Sequence, residues 1–189
     1  MPVTVSTFYK FVALADPAAV RESVLGAAQA HGIKGTILIA PEGINATIAG
    51  PDDGVRGLLA WLRGDPRFAG LESKESYADA IPFGRLKVRL KRESVTLRRP
   101  EADPSRRVGT YVKPEAWNAL IADPDVLVID TRNAYEVGIG TFPGAIDPAT
   151  RTFGEFPDFV AANLDPAKHP RVAMFCTGGI RCEKATAYL

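Results

Sequence analysis

The sequence predicts an α/β protein with two domains, the first of them an α+β module. Between residues 4 and 97, β-branched and aromatic runs alternate with helical spacing in the order β-α-β-β-α-β. Between residues 110 and 189, short apolar runs alternate with helical segments, which is typical of a parallel sheet. A charged segment with two prolines separates the halves. We therefore expect domains at 1–97 and 110–189, joined by a linker at 98–109.

The first domain shows a signal for each element of a ferredoxin-like, or acylphosphatase-like, βαββαβ fold. Asp16-Pro17 is typical of a helix start, because aspartate caps free amides and proline fits the first helical position, and Gly32 ends this helix. Valine and leucine at helical spacing predict a second, amphipathic helix over 52–63. The predicted strands are 4–14, 33–40, 45–49 and 85–97.

The second domain has its polar residues at strand ends. Asp130 follows one apolar run and Cys176 another, and sites in parallel sheets form beyond the carboxyl ends of the strands. The chain stops at Leu189 within a helix, so we expect this domain to be truncated at its C-terminus. The predicted strands are 126–130, 145–146 and 171–175, and the predicted helices are 114–122, 153–163 and the segment after Arg181.

Composition limits the classes of protein to which the chain can belong. The 189 residues are 46% hydrophobic and 24% charged with net charge +1, which is ordinary for a globular protein. No stretch is apolar and long enough to span a membrane, and the N-terminus lacks a signal peptide. Two cysteines so close together do not form a disulfide framework. We expect a cytoplasmic protein with no membrane contact, no metal site and no readable cofactor motif, and the sequence predicts no protein partner.

The most informative segment is the loop that begins at Cys176. An apolar strand ends there, two glycines and an arginine follow, and the composition then becomes helical. Backbone amides and the positive end of the helix dipole converge on such a loop, and both favour a thiolate. We predict Cys176 as a nucleophile; a buried structural cysteine is the alternative. The predicted anion cradle consists of Thr177, Gly178, Gly179, Ile180 and Arg181.

Three neighbouring residues have roles that the sequence leaves open. Asp130 and Arg132 are predicted to brace the Cys176 loop, with a simple surface ion pair as the alternative. Cys182 is either a small core residue, which we favour, or a thiol that resolves an oxidised Cys176.

A basic strand follows the first domain's second helix. Its cations alternate with Leu86, Val88 and Leu90, so we expect the cations on one face and these apolar residues in the core. Such a row suits a nucleic-acid backbone, although an ordinary solvated sheet face is the alternative. Tyr9, Phe11 and Tyr77 could stack on bases, but we favour aromatic core. The predicted RNA-binding residues are Arg85, Lys87, Arg89 and Lys91.

The second half of the chain resembles a rhodanese domain. The matching pieces are residues 128–132, Glu136, residues 142–146 and the loop 176–181. Cys176 is first and Arg181 sixth in the loop, the spacing of sulfur-handling rhodaneses. The related phosphatases have one more residue before the arginine, and Cys182 occupies that place here.

The whole chain resembles the rhodanese-like tRNA uridine 5-hydroxylase family, the UPF0176-type proteins. The resemblance is carried by residues 35–45, including the turn Gly43-Ile44-Asn45, by residues 85–93 and by residues 176–185. It implies a tRNA substrate, oxygen-dependent conversion of the wobble uridine, position 34, to 5-hydroxyuridine, and molecular oxygen as co-substrate. Members of the family extend beyond residue 189.

Three functions remain open from the sequence. The first is an oxidoreductase that hydroxylates tRNA uridine, with the Cys176 thiolate adding to C6 of the base so that C5 becomes electron-rich. The second is a sulfurtransferase that passes a Cys176 persulfide sulfur to an acceptor, as in thiosulfate-type rhodaneses. The third is an RNA-binding module with a vestigial rhodanese domain. We expect the first.

Overall fold

The protein folds as two compact units. The structure, a computed structural model, describes residues 3–189. The first unit ends at Ser94 and the second runs from Val95 to Leu189. The predicted first domain ends three residues later, at 97.

The first unit is one five-stranded sheet with two helices. In chain order it contains β1 (Val3–Phe11), α1 (Pro17–Ala30), β2 (Lys34–Ala40), β3 (Gly43–Gly50), α2 (Asp52–Arg63), β4 (Ser73–Ala78) and β5 (Leu86–Leu90). The strands lie in the order β4-β1-β3-β2-β5. Three neighbouring pairs are antiparallel, and β5 alone pairs in parallel, with β2. The first four strands and two helices form the predicted ferredoxin-like arrangement.

Successive side chains of β2 and β3 point to opposite faces of the sheet, and the apolar ones determine which face the helices cover. Ile37 and Ile39 of β2 and Ile44 and Ile48 of β3 are fully buried, because their side chains point toward the apolar faces of α1 and α2. Burying an isoleucine or leucine side chain contributes about 2 kcal/mol relative to an exposed one. The opposite face carries the intervening residues of these strands, such as Thr36 and Thr47.

The basic segment occupies a different place from the predicted one. It was expected as a strand over 85–97 that completes the βαββαβ order, yet β4 holds that position and β5 adds a fifth strand at the opposite edge. The strand also ends at Leu90, which is 50% exposed rather than in the core. Val88 is buried as expected, and Leu86 packs against the core. Leu90 is the last residue of this edge strand and is exposed there, whereas Val88 on the same face is covered.

The second unit contains two parallel strands and four helices. The elements are α3 (Pro114–Ile121), β6 (Leu127–Asp130), α4 (Ala134–Val137), α5 (Phe156–Asn163), β7 (Val172–Phe175) and α6 (Ile180–Tyr188). Strands β6 and β7 pair in parallel, and Ile146 adds a parallel bridge to Ile129. Strand ends and helix starts thus meet at the carboxyl edge of this small sheet, where Asp130 and Cys176 lie.

The segment expected as a linker, 98–109, lies within the second unit. Leu97 and Ala102 are buried in a core with Ile129, Phe156 and Ala185. Lys184, only 1% exposed on α6, donates a hydrogen bond from Nζ to the carbonyl oxygen of Val95 at 3.1 Å. Charge and proline content suggested a solvated connection, but Ala102 and the adjoining Leu97 anchor the start of this segment in the second core.

The helices of the described chain are short or amphipathic. None of them within residues 3–189 has the length and apolar character that crossing a lipid bilayer requires.

Candidate functional site

The Cys176 loop connects β7 to α6 through one sharp turn. Cys176 follows the last residue of β7, and α6 begins at Ile180. Gly179, at the N-cap position of α6, has φ 100° and ψ −28°. This conformation turns the amide of Gly179 toward the sulfur, and its N–H donates to Cys176 Sγ at 3.0 Å. The predicted thiol at a helix N-terminus is therefore present in the structure.

Several donors stabilise the Cys176 thiolate. The largest effect on its pKa comes from the thiol of Cys182, which donates a hydrogen bond to Cys176 Sγ. Burial of the half-buried cysteine opposes ionisation, but the amides of Cys182 and Gly179 and the charge of Arg181 favour it. The net result lowers the pKa of Cys176 to about 5. The same thiol pairing, together with burial, raises the pKa of Cys182 well above its usual range.

The two thiols should therefore react with alkylating reagents at very different pH. We expect the alkylation rate of Cys176 by iodoacetamide to rise with a midpoint near pH 5, because only the thiolate is nucleophilic. Cys182 should stay unmodified across the neutral range. Trypsin cleaves after Arg181, between the cysteines, so peptide mass spectrometry follows each one separately. A Cys176 midpoint near its ordinary value of 9 would contradict the described environment.

Arg181 is held by a glutamate that the sequence analysis did not select as a site residue. Its guanidinium donates to both carboxylate oxygens of Glu136, at 2.6 and 2.8 Å. The Thr177 hydroxyl donates to the same carboxylate at 2.6 Å, and the amide of Asn133 does so at 3.2 Å. These bonds, those from Arg181 foremost, lower the pKa of Glu136 to about 2. Glu136, on α4, thus fixes two members of the loop that lie 41 and 45 residues later in the chain.

Asp130 and Arg132 form a buried pair beneath the loop. Asp130 is fully buried, and Arg132 donates to both of its carboxylate oxygens, at 2.9 and 2.6 Å. Thr141 adds a hydroxyl donor at 2.9 Å. Burial raises the pKa of Asp130, but the hydrogen bonds from Arg132 outweigh it and leave the pKa below its ordinary value. The alternative of a surface ion pair does not fit this burial.

The pair contacts the residue that precedes the nucleophile. The guanidinium of Arg132 lies 5.6 Å from the ring centroid of Phe175. Between the paired residues, the amide and the hydroxyl of Thr131 each donate to the Phe175 carbonyl oxygen at 3.0 Å. The role of Asp130 and Arg132 as loop support stays a prediction. These contacts connect the pair to Phe175, the residue before Cys176.

Cys182 is half-buried in the first turn of α6 and takes part in the site. Its sulfur lies 3.5 Å from the Thr131 hydroxyl and hydrogen-bonds to Cys176. The sequence analysis favoured a core residue, but the structure places this thiol against the reactive one. Two cysteines six positions apart gave the only sequence signal for this contact.

The two glycines of the loop, Gly178 and Gly179, differ in backbone conformation. Gly179 has a positive φ that a side chain disfavours, whereas Gly178 does not, and a Cβ at Gly178 would meet no heavy atom within 4 Å. We expect Gly179→Ala to destabilise the second unit by about 1–2 kcal/mol and to slow Cys176 alkylation. Gly178→Ala is the matched control and should leave both quantities unchanged. Equal effects of the two variants in thermal unfolding and alkylation assays would contradict this assignment.

The predicted RNA-binding cations separate into two places in the first unit. Arg85 and Lys87 line a groove of about 420 Å³ with Gly35, Thr36 and Phe83. Arg89 lines a second groove, beside Arg21 and Glu22 of α1. Beyond the end of β5, the Lys91 amide donates to the Ile39 carbonyl at 2.8 Å. The expectation that all four cations share one face stays a prediction.

A polar row crosses the sheet face opposite to α1 and α2. Strand register places Lys87 beside Thr36, Thr36 beside Thr47, Thr47 beside Thr7, and Thr7 beside Lys74. The hydroxyls of Thr7 and Thr47 lie 3.3 Å apart. Hydroxyls flanked by ammonium groups can donate to phosphate oxygens. Sequence reasoning missed Lys74 and the threonines because they lie on four different strands.

The three aromatic residues weighed for base stacking differ in exposure. Tyr9 and Phe11 are half-buried on β1, with ring centroids 6.1 Å apart. Tyr77 is 65% exposed on the edge strand β4, so the expectation of aromatic core is wrong for this residue.

The turn Gly43-Ile44-Asn45 fastens the end of the first unit. A Cβ on Gly43 would lie 2.0 Å from the carbonyl oxygen of Lys10, so the close strand approach requires glycine. Asn45 donates from Nδ2 to the Ser94 carbonyl at 3.0 Å. The preceding Glu42 accepts from the amide and hydroxyl of Ser94, at 2.7 and 2.8 Å. This segment therefore holds the chain at the boundary of the unit.

Metal coordination has no counterpart within residues 3–189. No three side chains of His, Cys, Asp or Glu converge there in an arrangement that could bind an ion.

Comparison with known proteins supports the acylphosphatase-like first domain and the resemblance to tRNA uridine hydroxylases. Residues 3–93 match the family model of the UPF0176 acylphosphatase-like domain. The chain is 57% identical over 185 residues to a protein of Agrobacterium fabrum named tRNA uridine(34) hydroxylase. This alignment covers 98% of the chain and 59% of the relative, so the chain spans about three fifths of that protein's length. The predicted acylphosphatase-like domain and the predicted resemblance are confirmed.

The solved structures found are similar to this chain at low identity and with TM-scores below 0.5. The BLUF protein BlrB is 24% identical with a TM-score of 0.41, covering 47% of this chain and 71% of that one. An acylphosphatase from Coxiella burnetii is 17% identical with a TM-score of 0.36, covering 47% and 93%.

Proposed function

Because residues 3–93 belong to the UPF0176 acylphosphatase-like domain family and the chain is a relative of a tRNA uridine(34) hydroxylase, we propose that the protein hydroxylates C5 of the wobble uridine of tRNA. The observation that carries this proposal is a half-buried cysteine whose sulfur is stabilised as a thiolate. We also place the protein in the cytoplasm, where it would meet tRNA.

The thiolate supplies the nucleophile that uridine chemistry needs. C6 of uracil is electrophilic because it is conjugated to the C4 carbonyl. Addition of Cys176 Sγ to C6 moves electron density to C5, which then attacks an electrophilic oxygen. Loss of the C5 proton and expulsion of the thiolate restore the double bond and leave 5-hydroxyuridine. A thiolate with a pKa near 5 both forms and leaves readily at neutral pH.

The oxygen atom must come from a second reactant. We propose molecular oxygen as co-substrate, as the resemblance implies. One oxygen atom enters the base, the other leaves as water, and an external reductant supplies two electrons. The residues of the Cys176 loop would hold the base and the sulfur.

Nucleoside mass spectrometry tests the proposal. Transfer RNA is isolated from a strain that lacks the gene, with and without a plasmid that encodes the full-length protein, and its nucleosides are quantified. We expect 5-hydroxyuridine and its derivatives only in the complemented strain. Equal amounts in both strains would overturn the proposed function.

A sulfurtransferase is the second candidate. The donors at Cys176 Sγ, including the Gly179 amide at 3.0 Å, can stabilise the terminal sulfur of a persulfide as well as a thiolate. Incubation with thiosulfate followed by intact mass measurement distinguishes the two. A stable gain of one sulfur atom on Cys176, transferred onward to cyanide, would support this second function.

We propose that tRNA binds the first unit along the polar row between Lys87 and Lys74. Regular spacing of hydroxyl and ammonium groups across the sheet face opposite to α1 and α2 supports a phosphate-backbone contact. The groove beside Lys87 that contains Arg85 extends the positive charge.

Binding along this row predicts that replacing Lys87 changes the salt dependence of tRNA binding. Lys87→Ala should weaken tRNA binding several-fold and lower the slope of log affinity against log salt by about 1. Lys168→Ala, an exposed lysine of the second unit, is the matched control and should leave the slope unchanged. Filter binding at a series of salt concentrations measures both. Identical slopes for Lys87→Ala and the wild type would place the RNA elsewhere.

A further inference from the structure

The Cys176 loop and the first turn of α6 bring a second thiol to the side of the reactive one, and Thr131 lies against both this thiol and the residue before Cys176. Cys176 and Cys182 are the chain's two cysteines, and neither is in a disulfide. The turn at Gly179 brings the first turn of α6 back over the end of β7, so that both the thiol and the amide of Cys182 donate to Cys176 Sγ.

Cys176 has the properties of an oxidation-sensitive cysteine. Its sulfur is held as a thiolate by the amide of Gly179 and the charge of Arg181, and it is half-buried rather than sealed in the core. Peroxides attack thiolates, and a sulfenic acid forms first. Without a neighbouring thiol, further oxidation gives sulfinic acid, which is irreversible in most proteins.

Cys182 is placed to intercept the sulfenic acid. Its sulfur lies 3.5 Å from the hydroxyl of Thr131, which in turn donates to the carbonyl oxygen of Phe175 at 3.0 Å. Thr131 thereby fixes the second thiol beside the residue that precedes Cys176. The Cys182 thiol is kept protonated by the neighbouring Cys176 thiolate and by burial. Oxidation of Cys176 to the neutral sulfenic acid removes this negative charge, so Cys182 can pass its proton to the leaving hydroxide as its sulfur attacks.

We propose that Cys182 is the resolving cysteine of an oxidation-sensitive pair with Cys176. A hydroperoxide transfers one oxygen atom to the Cys176 thiolate and is itself reduced to an alcohol, or to water in the case of hydrogen peroxide. Cys182 Sγ then attacks the sulfenic sulfur, the S–O bond breaks, and the hydroxide leaves as water with the Cys182 proton. The resulting disulfide blocks the nucleophile and prevents overoxidation, and a dithiol restores both cysteines. This inference is independent of which acceptor Cys176 serves.

Mass spectrometry of peroxide-treated protein tests the proposal. The purified protein is exposed to a small excess of hydrogen peroxide, free thiols are blocked, and the intact mass and tryptic peptides are measured. Trypsin cleaves after Arg171, Arg181 and Lys184, so the disulfide appears as the peptide 172–181 linked to 182–184. In the wild type we expect a loss of about 2 Da that dithiothreitol reverses.

Cys182→Ser is the decisive variant. Serine keeps a hydrogen-bond donor near Cys176, so the thiolate stays reactive, but no disulfide can form. We expect irreversible sulfinic acid on Cys176, a gain of about 32 Da, at least about tenfold faster than in the wild type. Fragmentation of the 172–181 peptide separates this product from oxidised Met174. Cys176→Ser should show no loss of about 2 Da, because the single remaining thiol cannot form an intramolecular disulfide.

Two results would overturn the proposal. The first is equal accumulation of sulfinic acid in the wild type and Cys182→Ser. The second is a disulfide only between two molecules, seen as a dimer in non-reducing electrophoresis. Because no tRNA is present, neither result depends on the proposed hydroxylase activity, and loss of that activity would leave the peroxide result intact.

Discussion

Cys176→Ser in the full-length protein should abolish formation of 5-hydroxyuridine in tRNA. A serine hydroxyl fills nearly the same space as a thiol but stays protonated at neutral pH, so the loop's amides and Arg181 have no anion to stabilise. Replacing a nucleophile that works with its surroundings as a unit commonly lowers turnover by about 10³-fold or more. Nucleosides of tRNA from a deletion strain that carries the variant provide the measurement.

Two controls separate chemistry from folding and binding. The variant should unfold at the same temperature as the wild type, because Cys176 is half-buried and serine is only slightly smaller than cysteine. Its affinity for tRNA should also be unchanged, since the proposed RNA contacts lie in the first unit. Normal 5-hydroxyuridine levels with Cys176→Ser would exclude this cysteine as nucleophile. Loss of both activity and binding would point instead to a folding defect.

Most of the fold could be predicted because its elements carry local signals. Burial could be predicted for the elements whose apolar pattern is visible in the sequence. These are the strands β2, β3, β6 and β7 and the amphipathic helix α2. Strand β4 escaped prediction because its sequence SKESYA has no buried side chain, so no hydrophobic alternation marks it. It forms a strand because it pairs with β1, in a register that the sequence does not reveal.

The helix start at Asp16 illustrates the same limit. Asp16 lies at the predicted N-cap of α1, yet its side chain makes no capping hydrogen bond. It accepts instead from Arg67, 51 residues later, at 2.9 Å. The position of the helix was predictable from Pro17, whereas the carboxylate's partner was decided by tertiary structure.

The candidate site divides in a similar way. The Cys176 loop was predictable because strand, turn and helix are contiguous in the chain. Glu136 stood out only as one piece of the rhodanese resemblance, and its contact with Arg181 was not predictable because it spans 45 residues. Cys182 was ambiguous, because a cysteine in the first turn of a helix looks alike whether it packs in a core or faces another thiol.

Asp130→Ala should be the most destabilising of the substitutions around this site. The carboxylate is fully buried and Arg132 is 17% exposed, so removing Asp130 leaves a largely buried guanidinium without its carboxylate. Breaking such a pair on one side costs about 3–5 kcal/mol, of which the remaining exposure of Arg132 recovers a part. Thr141 loses its hydroxyl acceptor as well. We expect about 3 kcal/mol less stability in the second unit.

Urea unfolding followed by tryptophan fluorescence can isolate the second unit. The chain's two tryptophans are Trp61 and Trp117. In a Trp61→Phe background, the signal comes from Trp117, whose ring lies 5.6 Å from that of Phe142 and 6.0 Å from that of Phe175. Asp125→Ala, which removes an exposed carboxylate of the same unit, is the matched control and should change stability by about 0.5 kcal/mol or less. Coincident midpoints for the two variants would show that the buried pair contributes little.

The same pair predicts a pH dependence with a definite sign. The folded-state pKa of Asp130 lies below its ordinary value of 3.8, so its stabilising contribution is fully present above that pH. It is lost as the pH falls through the lowered pKa, because the protonated carboxyl no longer pairs with Arg132. Asp130→Asn keeps the shape and some hydrogen bonds but cannot titrate. We therefore expect Asp130→Asn to be less stable than the wild type at neutral pH, and the difference between them to shrink as the pH is lowered below 3.8.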